Sequence, residues 1–187
     1  MPKDTGQIVV GANGSVRVAP LGTAEPVDID ASYDAAWVDL GYTSEDGVTF
    51  KDSITKESIA VWQLFYPARR VVSERDFTVS FALRQFAAHQ VEFAFGGGEV
   101  TEDGAGKFRY EPPDPEVIDE RMLGIDWVDG DKNFRLIVPK GTITEDVETQ
   151  LMRASAADLP VVFGVTGQEG VAPWYLLTDD ETFAEAT

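Results

Sequence analysis

The segment "FTVSFALRQFAAHQVEFAFGGG", Phe77 to Gly98, changes its period halfway along. Phe77, Val79, Phe81 and Leu83 alternate with Thr78, Ser80, Ala82 and Arg84, the period of two that marks a strand with one buried face. From Gln85 the spacing changes. Ala87, Val91, Ala94 and Phe95 fall on one side of a helix predicted over 85–95. Gly96, Gly97 and Gly98 then supply the left-handed conformations in which helices commonly end. A half-buried strand running into a short helix with one apolar face calls for a sheet on which that helix packs.

Outward from this segment the same period of two recurs. Val16 and Val18 carry it, as do Phe108 and Tyr110, then Leu123, Ile125 and Trp127. Phe134, Leu136 and Val138 repeat it, followed by Val161, Phe163 and Val165, and finally Trp174 and Leu176. Clusters of Gly, Pro, Asn and Asp separate these runs, among them "GANGS", "PPDP" and "GQEG". The pattern predicts one mainly β domain over 1–187, an antiparallel sandwich or barrel with one flanking α-helix. In "DWVDGDKN", Asp126–Asn133, the Asp-Gly pair predicts a hairpin turn. A calcium loop is excluded there, because the twelfth position, which needs glutamate, is Ile137.

Composition removes several function classes. The chain of 187 residues has no cysteine and one histidine, His89. Disulfides, zinc–thiolate sites and cysteine nucleophiles are thereby excluded, and no metal, cofactor or enzymatic activity is expected. The formal charge of −18 argues against tight nucleic-acid binding, which needs Lys and Arg to displace counterions. No run reaches the roughly 18 apolar residues of a membrane helix, and the N-terminus lacks the pattern of a secretory leader. Acid pairs such as Asp28/Asp30, Asp119/Glu120 and Asp179/Asp180 follow from acid density alone and indicate no catalytic site.

The stretch "YTSEDGVTFKDSITKESIAVWQLFYPARRVV", Tyr42 to Val72, reads differently. A polar excursion ends in a dense patch, Ile59, Val61, Trp62, Leu64, Phe65 and Tyr66, and then two arginines. A polar segment this long has little to bury, so a loop over about 48–60 is expected, mobile in a free subunit. Arg69 and Arg70 sit together directly after the aromatic patch. Arginine's planar fork suits carboxylates at interfaces, which makes inter-subunit ion pairs the sharper reading and a solvated strand edge the plainer one.

"VRVAPLGT", "AAWVDLGYTSEDGVTF", "IAVWQ", the strand and helix of Phe77–Gly98, "LPVVFGVTG" and "GVAPWYLL" together resemble the major tail tube proteins of long, non-contractile-tailed bacteriophages, the type found in phages of actinobacteria. The resemblance covers most of the chain and is densest over residues 14–95. It implies a structural virion protein, a β-sandwich or barrel-like subunit with one flanking helix and no chemistry of its own. It further implies hexameric rings stacked into a tube through which DNA passes without tight binding. Partners would be further copies, a tape measure protein, a tail terminator and distal tail proteins, with assembly in the host cytoplasm and no membrane insertion. No appended C-terminal immunoglobulin-like domain is expected. Under this resemblance the excursion 48–60 reaches the next ring, and Phe50, Lys51, Asp52, Lys56, Trp62, Phe65, Arg69 and Arg70 form the inter-subunit surface. Two other classes also fit the residues. One is a small-ligand-binding β-barrel with Tyr42–Val72 as its lid, the other a carboxylate-dependent hydrolase. A tube subunit of a related secretion or gene-transfer particle is a near neighbour.

Overall fold

The computed structural model describes residues 5–186; the first residues of the segment read for a leader lie outside this range. Ten strands and one α-helix follow in order: β1 (Asn13–Pro20), β2 (Val38–Asp39), β3 (Thr49–Ile59), β4 (Arg69–Leu83), α1 (Ala88–Ala94), β5 (Glu99–Glu102), β6 (Phe108–Glu111), β7 (Arg121–Asp129), β8 (Lys132–Ile143), β9 (Leu159–Val165) and β10 (Tyr175–Thr178). The main sheet is antiparallel, in the order β2-β1-β7-β8-β9-β4-β3, with β10 beside β8. The alternating residues face one core. Val16, Val18, Val79, Phe81, Leu83, Leu123, Ile125, Leu136, Val138, Val161 and Phe163 form a single buried cluster, which Phe93 and Ala94 of α1 also enter. The sheet therefore folds over on itself, but β2 and β3 remain open ends. The architecture fits a β-sandwich with one helix and not a closed barrel.

The bend lies in β8. Its first half pairs with β10, up to Ile137, and its last residues, from Gly141, pair with β9. Between them stands Pro139, which has no N–H to give to a ladder. On the other edge, Met122 alone opposes Pro139 and Lys140, a β-bulge between Arg121↔Gly141 and Leu123↔Val138. A bulge tolerates proline and re-aims a strand, so the interruption turns the sheet without orphaning a donor. The Asp-Gly signal gives the tight β7–β8 turn, with Asp129 opposite Lys132.

The helix is shorter than predicted and its buried face is different. It spans Ala88–Ala94, and Gln90, Phe93 and Ala94 are buried, while Ala87 caps it and Phe95 is 45% exposed. The reason is polar: Gln90 Nε2 donates to the carbonyl of Leu40 at 3.0 Å, which lets an amide sit where an apolar residue was expected. Gly96, at φ +72, ends the helix as expected.

The outer face of β7–β8 is covered by the segment 21–37. Arg135, nearly buried, donates to Asp126 Oδ1 at 2.7 Å and to the carbonyl oxygens of Ala31 at 2.7 Å and Asp28 at 3.1 Å. Arg17 donates to the other oxygen of Asp126 at 2.7 Å. Both guanidiniums lie over the Tyr33 ring, at 4.4 and 4.8 Å from its centroid. Burial, and then the neighbouring Asp126 carboxylate, push the Tyr33 hydroxyl well above its ordinary pKa, so it stays a donor to Asp126. Trp37, Ala19 and Met122 make a small second core beneath this strap.

Candidate assembly surface

The excursion expected as a loop over 48–60 is a strand. β3 pairs with β4 from Thr49↔Ser80 to Ile59↔Arg69, whereas β4 meets β9 only from Thr78 to Leu83. Beyond Thr78 the two strands have no third neighbour. They leave the sheet as a two-stranded ribbon, about 25 Å long at roughly 3.3 Å per residue, and every residue from 54 to 76 is exposed. Thr49, Ile54, Thr55, Ile59, Val71 and Val72 give it β-branched content, which favours extended backbone. The polar character of β3 reflects water on both sides and not disorder.

The base of the ribbon is held by a row of packed aromatics, three pairs stacked and one tilted. Ring centroids run from Phe134 to Trp127 at 5.3 Å, Trp127 to Phe50 at 5.7 Å, Phe50 to Phe77 at 6.5 Å, and Phe77 to Trp174 at 4.6 Å. Just beyond, Arg75 grips Asp52 with two hydrogen bonds of 3.1 and 2.6 Å. Those bonds hold the Asp52 carboxyl below its ordinary pKa. Further out, the register slips between Thr55 and Lys56, leaving Ser73 as the extra residue of a β-bulge. Ser73 Oγ donates to the Thr55 carbonyl at 3.3 Å. Such bulges bend a ribbon and increase its twist.

The connection 60–68 forms the tip. It is tied by Ala68 N donating to the Ile59 carbonyl at 2.8 Å. Trp62 is 98% exposed and Phe65 107%, with Leu64 and Tyr66 beside them. Burying one such ring is worth on the order of 2–3 kcal/mol, which the free subunit does not gain. An exposed apolar cluster of this kind marks an interaction surface.

The predicted residues divide by position. Phe50 and Asp52 fasten the ribbon to the body. Trp62 and Phe65 are at the tip. Cross-strand register places Lys56 and Arg70 on the ribbon face continuous with the core side, beside Ile54 and Val72. Lys51 and Arg69 lie on the opposite face with Glu57, Glu74 and Asp76. Arg69 and Arg70 thus point to opposite sides, because neighbours in a strand alternate, and they do not make one joint patch. Neither they nor Lys56 form an ion pair among the described residues. Leu64 and Tyr66, of the apolar patch read from the sequence, belong with this surface, as do Ile54 and Val72, which the sequence reading did not include. The signal for the last two was the alternation Phe50, Asp52, Ile54, Lys56, legible only once β3 is taken as a strand.

Elsewhere the paired acids have structural partners. Asp179 accepts from Asn133 N and Nδ2 at 2.7 and 2.6 Å, and Asp180 accepts from Lys132 Nζ at 2.8 Å. These bonds hold both carboxyls below their ordinary pKa. Among the described residues no group of three His, Cys, Asp or Glu is placed to hold a metal ion, and no helix is long and apolar enough to cross a membrane.

The fold is an antiparallel β-sandwich that holds a ribbon with an aromatic tip out into solvent, a surface suited to a partner. The chain belongs to the phage tail tube protein family, whose model matches residues 1–187, the whole length given. No curated protein matches the chain.

Proposed function

We propose that this tail tube protein forms hexameric rings that stack into the conduit for phage DNA, with the β3–β4 ribbon as the arm that reaches a neighbouring subunit. The observation that carries this reading is the ribbon itself. No residue of its outer part, 54–76, is buried in the subunit, and its tip holds Trp62 and Phe65 fully in water. A two-stranded hairpin alone is marginally stable, so a second surface must repay its order. Trp62, Phe65, Arg69 and Arg70, with Lys56, are its contact residues. Phe50, Lys51 and Asp52 set its angle at the root. The subunit acts as structure and not as an enzyme. The formal charge of −18 suits a channel that lets a polyanion slide without gripping it. Tape measure, tail terminator and distal tail proteins would meet the ends and interior of the tube, in a virion tail assembled in the host cytoplasm.

Negative-stain imaging of the concentrated protein tests this. Rings or tubes are expected for the full chain and are expected to vanish for Trp62→Ala and for the double variant Arg69→Ala/Arg70→Ala, both still folded by circular dichroism. A chain that stays monomeric at every concentration and salt would refute the reading.

A further inference from the structure

A second apolar surface lies away from the ribbon. The hairpin β5–β6 is not joined to the main sheet. It leans on α1 through Val100 N, which donates to Glu92 Oε1 at 3.2 Å, and on the glycine turn after the helix through Tyr110 OH, which donates to the Gly97 carbonyl at 2.8 Å. The pairs Val100↔Tyr110 and Glu102↔Phe108 set these four side chains on one face of the hairpin. Between that face and α1 is a cleft of about 780 Å³. Phe86 and Phe108 stand on its walls, 52% and 72% exposed. The charged side chains lining it are Glu92 and Glu102, with His89 at the rim and no Lys or Arg.

We propose that this cleft is the socket for the ribbon tip of a second copy of the chain. The two surfaces are complementary in both chemistry and charge. The tip is aromatic and uncharged from Ala60 to Ala68, and behind it the ribbon face of Lys56 and Arg70 carries no acid from Ile54 outward, whereas Arg69 lies on the other face with Glu57 and Glu74. The socket is apolar and acidic. The chain's own tip does not fill it, because Trp62 and Phe65 are fully exposed. Tip and socket are different surfaces, so the contact is head-to-tail. Such a contact propagates from copy to copy and closes only where the rotation allows. In this contact Glu92 and Glu102 meet Lys56 and Arg70, the two bases on one face of the ribbon behind the aromatic tip, which fixes the direction of insertion. This inference rests on the tube reading and adds to it the receiving surface.

The chain lacks cysteine, so a pair of introduced cysteines reports one contact without background. Full chains carrying Gln63→Cys, at the exposed tip, are mixed with full chains carrying Ala87→Cys, in the cleft lining, under assembling conditions and treated with a short bismaleimide; both changes leave the aromatic side chains in place. A covalent dimer linking position 63 to position 87 is expected from the mixture and not from either variant alone. Phe108→Asp and Phe86→Asp are each expected to abolish tubes while the monomer's melting temperature holds. Tubes that form from the cysteine variants without the 63–87 product, and persist in both aspartate variants, would overturn the socket and leave the tube reading standing. Linkage of position 63 to position 63 would replace it with a symmetric tip-to-tip contact. A wild-type chain that never assembles would remove the tube reading and the socket with it.

Discussion

Phe163 and Phe65 are the same residue in opposite surroundings. Phe163 is 0% exposed at the centre of the sandwich, and Phe65 is 107% exposed at the end of the ribbon. The body satisfies its apolar residues internally, with the inner faces of β1, β4, β7, β8 and β9 meeting in one cluster. The ribbon leaves every residue from 54 to 76 exposed. One region holds the stability of the subunit, and the other leaves its apolar surface in water, where the proposed contact with a second copy would cover it. The contrast extends to charge. In the body, Arg135 is enclosed and bonded to Asp126 and two carbonyls; on the ribbon, the Arg70 side chain is exposed and makes no ion pair among the described residues. An enclosed guanidinium is tied to the fold, while an exposed one is free to be matched elsewhere.

The sharpest way to break this division is to remove the ribbon. Replacing residues 55–73 by a tight turn is expected to abolish assembly altogether, scored by electron microscopy. The thermal midpoint of the monomer should hardly move, because those residues are all exposed. A fall of many degrees would mean that the ribbon belongs to the cooperative core. Next comes the phenylalanine comparison by chemical denaturation of the monomer. Phe163→Ala should cost about 3–5 kcal/mol through lost burial and the cavity left behind. Phe65→Ala should stay within about 0.5 kcal/mol, as exposed substitutions do.

The arginines sharpen the same contrast at smaller amplitude. Arg135→Met removes one partner of Asp126 and uncaps the carbonyls of Asp28 and Ala31, with an expected loss of about 3 kcal/mol. Arg70→Met should leave the monomer's denaturation midpoint unchanged. The smallest effect is on acid stability. Asp179 and Asp180 have carboxyl pKa values depressed by Asn133 and Lys132. Their contribution is therefore complete above the ordinary carboxylate value of about 4. It is lost as the pH falls through their lower folded values. Lys132→Met should flatten that part of the stability–pH curve, and an unaltered curve would show that the pair does not couple to folding.

Legibility followed the environment of each element. Alternation of apolar with polar or small residues announced the strands, so Phe81, Leu123, Leu136 and Phe163 were readable as core. β3 was not readable as a strand, because a ribbon with water on both faces has no apolar period to display. β8 hid a different feature: from Phe134 to Pro139 it is buried on both faces, and nothing local to Arg135 reveals that the strap 21–37 covers it. The helix was recognised but turned the wrong way, since a glutamine becomes a buried residue only when a carbonyl such as that of Leu40 waits for it.

The aromatic run at Trp62–Tyr66 and the arginines after it were visible as a surface of interest from residue type alone. Their roles depended on register. A single bulge at Ser73, set by pairing across the ribbon, decides which face each later side chain takes, and strand alternation sends Arg69 and Arg70 to opposite sides. By itself the sequence determined the β-rich class, the absence of cysteine chemistry, the acidic balance and the hairpin and helix stops, because these depend on composition and nearest neighbours. The tertiary structure alone decided that the polar excursion is a projecting arm, that Phe50 and Asp52 anchor it, and that a cleft between α1 and β5–β6 stands open. Each of these depends on which segments, far apart in the chain, lie beside one another and which are left without a neighbour.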